Sequence, residues 1–223
     1  AVSAHYNGGE AYQYFKSTHN RESINGEGGT IISFFNIGDE NGNDMDNAFW
    51  NGAAMFYGNG NQAFNFPLQR ALDVAGHEMS HGVIQGTANL EYQGQSGAMN
   101  ESFADIFGAM IDRDDWQMGE DITNPSYIST GALRSLSDPN NGGSSLSNPG
   151  WQPKTMSEYQ NLPNTPQGDN GGVHINSGIT NYAFYLFATD VGKDKAELIY
   201  YRALDAYLVK SSQFVDLRNA VVQ

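Results

Sequence analysis

Residues 68–85 read LQRALDVAGHEMSHGVIQ. Leu68, Leu72, Ala75, Met79 and Val83 recur at spacings of three and four, which predicts an amphipathic helix, with Pro67 at its first turn. Inside it, His77 and His81 stand four residues apart and share one face, so both imidazoles can reach a single ion. Glu78 projects about 100° around the axis from His77. That is too far round for an easy third ligand, but within reach of a water on the ion. The competing reading is a helix that carries two surface histidines.

The next segment favours the ion. A second helix is expected from about Ala98 to Ile111, with Phe103, Ile106, Phe107 and Met110 turned inward. Glu101 follows His81 by twenty positions, and antiparallel pairing of the two helices would lay its carboxylate over the histidine pair. Two nitrogens, one oxygen and a fourth position left to water make a catalytic zinc set. Asp105, one turn after Glu101, and Asn100 are placed to accept the free N–H of each imidazole, which sets tautomer and ring orientation. Against this stands the reading of Glu101 and Asp105 as solvated acids on a helix face.

The rest of the chain supplies the frame. His5 to Thr18 reads as a helix that ends through Asn20, and Thr30 to Ile37 as a strand. Ala48–Trp50 and Ala54–Tyr57 read as short strands about an Asn51–Gly52 turn. Asn124 to Thr165 is rich in Pro, Gly, Ser and Asn, and only local structure is expected there. Helices are then predicted over Ser177–Asp190, Asp194–Leu208 and Ser212–Val222. The order implies an α+β fold: a mixed α/β lobe over residues 1–66, a mainly α-helical lobe over 67–223, and the active-site cleft between them.

Composition narrows the function. Of 223 residues, 25 are acidic and 11 basic, a formal net charge of −14, which argues against a nucleic-acid partner. Aromatic residues at 12% argue against disorder. No run approaches 18 apolar residues, so no membrane span is predicted. The absence of cysteine excludes thiol nucleophiles, Cys-ligated zinc and disulfides. Any further tether would have to be a bound cation. The sequence starts AVSAHYNGG, with no basic stretch or apolar core, so a signal peptide is expected to lie outside it.

With these residues in view, the sequence resembles the thermolysin family of neutral zinc metalloendopeptidases over nearly its whole length. The resemblance is carried by Ala4–Tyr6, Asp46–Gly52, His77–His81, Asn100–Asp105, Leu133–Pro139 and the string Asp169-Asn170-Gly171-Gly172-Val173-His174-Ile175-Asn176-Ser177-Gly178. It implies that His77, His81 and Glu101 bind one catalytic zinc and that Glu78 is the general base. Tyr92 and His174 would hydrogen-bond the developing oxyanion, with Asp169 orienting His174. Asn47, the Ala48 carbonyl and Arg134 would grip the substrate main chain. Leu68, Val74, Met118, Ile122 and Leu133 would form an apolar pocket, giving cleavage before large hydrophobic residues. Asn65 stands where some relatives carry an aromatic, which would make that pocket wider or more polar.

Asp73, Asp112, Asp115 and Glu120 match calcium ligands in the same family, with a backbone carbonyl near Gln117 adding another. Gathering such carboxylates without a cation is unfavourable, and Ca²⁺ accepts six to eight oxygens. Because the segment Asp112–Asp115 is short, a single structural calcium is expected. The competing reading is an acidic solvated loop. The resemblance further implies a β-rich segment ahead of Ala1 and another helix after Gln223 in typical members. His5 and His19 have no assigned role. The resulting expectation is a secreted, extracellular, monomeric endopeptidase acting on proteins or peptides. Its rival is a truncated, non-catalytic relative that binds metal or peptide.

Overall fold

Helix α1 (Val2–His19) ends where Asn20 turns left-handed (φ 54°) and its N–H closes on the Phe15 carbonyl, as the sequence suggests. In this computed structural model, which describes residues 1–223, the chain then builds a three-stranded sheet. Its strands are β1 (Ser33–Ile37), β2 (Ala48–Trp50) and β3 (Met55–Gly58), in the order β1-β3-β2. β3 runs parallel to β1 and antiparallel to β2. One edge of β2 is therefore unpaired.

The predicted helix over 68–85 is divided. Leu68–Arg70 form a short 3₁₀ turn, Ala71 is extended, and α2 runs Leu72–Gln85. The break has a cause distant in sequence: Asn7 of α1 donates to the carbonyls of Gln69 (3.0 Å) and Arg70 (3.2 Å), which takes them out of a continuous helical ladder. A polar loop leads into α3 (Gly94–Ile111), which starts a turn earlier than its apolar periodicity indicates.

α3 is the central element. Every residue from Ser96 to Met110 is buried, between α2 on one side and α4 (Asp169–Val191) on the other. Met99, Phe103, Ile106, Phe107 and Met110 fill the core, while the buried polar residues Asn100, Glu101 and Asp105 share the helix with them. α2 and α3 approach closely at Gly108, where a Cβ would lie 2.7 Å from the Asp73 carbonyl oxygen. Such proximity brings the polar residues of α3 up to the histidines of α2.

Beyond α3, a two-stranded ribbon pairs β4 (Gln117–Met118) with β5 (Arg134–Ser135). The stretch to Pro163 is irregular, as expected. α4 begins earlier than predicted. α5 (Lys193–Arg202) passes into a π turn over Ala203–Tyr207, and α6 (Phe214–Ala220) follows. A mixed first part, α1 and the sheet, followed by a mainly helical part matches the expected α+β architecture. No helix is long and apolar enough to cross a membrane.

Candidate active site

His77, His81 and Glu101 come together as the sequence predicts. One ligating atom from each lies within 4.8 Å of the other two. The Nε2 atoms of His77 and His81 face each other at 3.0 Å, and each lies 3.5 Å from a Glu101 oxygen. His77 Nδ1 is 2.9 Å from Asp105 Oδ1, and His81 Nδ1 is 2.7 Å from Asn100 Oδ1. Asn100 uses its amide nitrogen on the Leu90 carbonyl, so its oxygen faces the ring. Both Nδ1 atoms therefore donate, and both Nε2 lone pairs converge on one point.

That arrangement tests the metal. Two lone pairs facing across 3.0 Å repel, and Glu101 Oε2 is buried without a hydrogen-bond partner. A divalent cation satisfies all three atoms together, and an N₂O set suits zinc. The residues fit the ion.

Glu78 lines the same cleft, a cavity of about 950 Å³ that also includes Asn47, Ala48, Tyr92, Asn100 and His174. Burial pushes its carboxyl up to about 7; His81 opposes the rise and Glu101 adds to it. Its Oε2 is buried and unpartnered. The Tyr92 hydroxyl donates to Glu101 Oε1 and stands 3.1 Å from His174 Nε2. Burial alone would lower His174, but Glu101 and Asp169 raise it to about 9.

His174 owes its place to backbone geometry. Asp169, Asn170, Gly171 and Gly172 all have left-handed φ, from 48° to 87°, before α4 turns right-handed. Asn and Gly tolerate that region best, which accounts for the Asn-Gly-Gly run. The left-handed turn folds Asp169 back, so that its carboxylate accepts from His174 Nδ1 (2.6 Å) and from the His174 N–H (2.8 Å).

Arg134 lies outside the cavity lining. Its Nε and Nη2 bind Asp105 at 2.8 and 2.9 Å, which leaves Nη1 for another acceptor. Asn181, a residue the sequence reading missed, also donates to Asp105 at 2.9 Å. It stands seven positions after His174, on the same face of α4; only that spacing could have flagged it. Leu68, Val74, Met118 and Ile122 are buried in the core and Leu133 packs against it. None of these five lines the cleft cavity.

The four acidic residues group less tightly. They do not close to within 4.8 Å as the histidine–glutamate set does. Asp73 is fully buried and accepts the Gly119 N–H, while Asp73 Oδ1 and Glu120 Oε2 are buried without partners. Burial and then Glu120 push Asp73 up to about 8. Burial and acidic neighbours, Asp121 among them, raise Asp112 and Glu120 too. Asp121 is a further residue missed from sequence, although it directly follows Glu120. Orphaned oxygens and raised carboxyls fit a cation with oxygen ligands.

A sheet followed by helices, with a His-Glu-x-x-His helix completed by a glutamate from the next, defines the class as a metallopeptidase scaffold. Comparison with known proteins agrees. Residues 1–85 match the description "Thermolysin metallopeptidase, catalytic domain", and residues 88–223 match "Thermolysin metallopeptidase, alpha-helical domain". The chain belongs to the thermolysin metallopeptidase family. It is 49% identical to bacillolysin of Bacillus amyloliquefaciens over its whole length, but spans only 40% of that protein. It is 48% identical to neutral protease NprE of Bacillus pumilus, of which it spans 69%. Among solved structures, the precursor of protealysin, a metalloproteinase from Serratia proteamaculans, superimposes with a TM-score of 0.87 at 35% identity. That match covers 99% of this chain and 70% of the other.

Proposed function

We propose that this chain is a zinc-dependent endopeptidase that hydrolyses internal peptide bonds on the amino side of large hydrophobic residues. The observation that carries the reading is the convergence of His77, His81 and Glu101 beside an unpartnered, buried Glu78 in an open cleft. Zinc held there would lower the pKa of water and polarise a carbonyl.

The chain's own groups do the rest. Glu78 takes a proton from the attacking water and passes it to the leaving amine nitrogen. A carboxyl near neutrality suits both halves of that task. Charge builds on the carbonyl oxygen, where Tyr92 O–H and His174 Nε2–H donate, with Asp169 holding His174 in register. Removing one donor of this kind costs about 2.7–4 kcal/mol of activation energy. The substrate backbone pairs with the free edge of β2 through Asn47 and the Ala48 carbonyl, and Arg134 Nη1 takes a further carbonyl. The preference for a large hydrophobic residue after the cut rests on family membership alone, since Leu68, Val74, Met118, Ile122 and Leu133 belong to the core or pack against it and lie outside the cleft lining.

One calcium held by Asp73, Asp112, Asp115 and Glu120 would brace the zinc-bearing helix, since Asp73 stands one turn before His77. We assign action to the extracellular space, by a secreted monomer of two lobes (1–66 and 67–223) with protein or peptide substrates and no membrane or nucleic-acid partner. Digestion of an end-blocked peptide, read by mass spectrometry, tests the activity. Internal cleavage that is lost with a zinc chelator and in Glu78→Gln, with zinc content kept in the variant, is the expected result. Metal binding without turnover by the unaltered chain would favour the non-catalytic alternative.

A further inference from the structure

α2 carries a third residue on the stripe of its two histidines. His77, His81 and Gln85 follow one another at intervals of four, so they lie along one helical face. The first two converge on the metal site. The Gln85 carboxamide instead reaches the strand across the cleft. Its Oε1 accepts from the Trp50 indole N–H at 2.8 Å, and its Nε2 donates to the Gly52 carbonyl at 3.3 Å.

Trp50 is the last residue of β2, and Gly52 sits in the turn that returns the chain to β3. Asn51 closes that turn by accepting the N–H groups of Ala53 (3.0 Å) and Ala54 (2.9 Å), so the strand end and the turn move as one piece. Helix and strand also meet through packing: a Cβ at Gly82 would lie 3.3 Å from Trp50 Cζ2. At the other end of β2, the Asp46 carboxylate accepts backbone N–H groups from Asn61, Gln62, Ala63 and Phe64. The N-terminal end of β2 is thus anchored by four bonds to the loop that follows β3. The C-terminal end of β2 is anchored to α2 through Gln85.

We infer that Gln85 is a positioning residue: its carboxamide, held between the Trp50 indole and the Gly52 carbonyl, sets the spacing and register of strand β2 against the helix that bears His77, Glu78 and His81. The inference rests on the reading of β2 as the strand on which a peptide substrate pairs. A peptide laid along β2 is thereby indexed to the same rigid element as the metal ligands and the general base. Both bonds are exposed to solvent, so they add little to global stability. Their consequence is geometric, and small displacements matter at a reacting centre.

The test compares Gln85→Leu, which can neither accept nor donate, with Gln85→Glu, which keeps the indole acceptor but loses the donor to Gly52. Trp50→Phe removes the indole donor. Peptides of two to eight residues are assayed for hydrolysis and, on a Glu78→Gln background, for binding by fluorescence anisotropy. The expected result is a three- to tenfold loss in affinity and in kcat/KM with Gln85→Leu for the longest peptides, on the order of one hydrogen bond. The shortest peptides, which do not span β2, should lose less. Gln85→Glu should recover part of the loss. Gln85→Leu combined with Trp50→Phe should be no worse than the poorer single variant. Zinc content and Tm should stay close to those of the parent. Equal losses at every peptide length, or losses that follow Tm and add in the double variant, would overturn the assignment. Because binding is read apart from turnover, an inactive parent refutes the proposed hydrolysis without touching this inference.

Discussion

Asp105 holds Arg134 through two parallel bonds, 2.8 Å to Nε and 2.9 Å to Nη2, in an interior where its carboxylate has no exposure. The same carboxylate accepts from His77 Nδ1 and from Asn181. Burial alone would raise the Asp105 carboxyl; Arg134 and His77 reverse that and hold it well below the usual range. The His77 ring orientation thus depends on an anion that is itself stabilised by a guanidinium.

Asp105→Asn should weaken zinc binding roughly 10–100-fold, because the amide is a poorer acceptor for His77 Nδ1–H and leaves Arg134 without its counter-charge. Competition against a fluorescent zinc chelator measures this. Unchanged affinity would mean that His77 is oriented by packing alone.

Asp73→Asn should have opposite effects with and without calcium. In the metal-free protein the Asp73 carboxyl rises to about 8, far above its unfolded value of 3.8. Between those values the folded state binds more protons than the unfolded one, so its contribution to stability falls as pH rises from about 4 to about 8. The amide removes that penalty, and the chelated variant should melt above the chelated parent at pH 8. With calcium in excess the order should reverse, since the variant loses a ligand. Thermal melts in chelator and in calcium give both readings.

His19, unassigned from sequence, stacks on Tyr201 at 4.1 Å and lies 3.1 Å from the Tyr14 hydroxyl. Burial lowers it to about 4. The unfolded chain then takes up a proton that the folded chain refuses between about 6.5 and 4. Stability is fully present above that window and is lost as pH falls through it, by at most on the order of 3 kcal/mol. His19→Gln should flatten this part of the profile relative to the parent, as read from denaturant midpoints at pH 7 and pH 4.5.

Arg113 points away from the acidic cluster. It binds both oxygens of the buried Glu197 (2.9 and 3.0 Å) and Asp194 (2.6 Å), while Tyr14 donates to Glu197 from α1. Lys193 donates to the Arg113 carbonyl at 2.8 Å. Arg113→Met should cost about 3 kcal/mol, the low end for stranding a buried charge, because the Arg113 side chain is 38% exposed. Glu197→Gln should cost less, since no charge is left stranded in the interior. Urea denaturation of the two variants checks the order.

Much of this was readable in chain order. The three-four spacing of Leu72, Ala75, Met79 and Val83 determined α2, and the i, i+4 histidines on it determined one side of the metal set. Spacings within one helix are local, so the sequence carries them directly. The break at Ala71 was not readable, because its cause is Asn7, more than sixty residues away. Nor was the early start of α4: its left-handed opening hides in Asn-Gly-Gly, which reads as loop.

The sequence by itself therefore determined the His77–His81 pair with Glu101 as its third member, the metal such a set suits and the order of sheet and helices, because residue type and helical phase are written locally. The tertiary structure alone decided that Arg134 lies on Asp105, that Asn181 joins it there, and that Gln85 spans to β2. Those relations depend on how closely α2, α3 and the sheet pack, and interhelix distance is set by contacts between residues far apart in the chain.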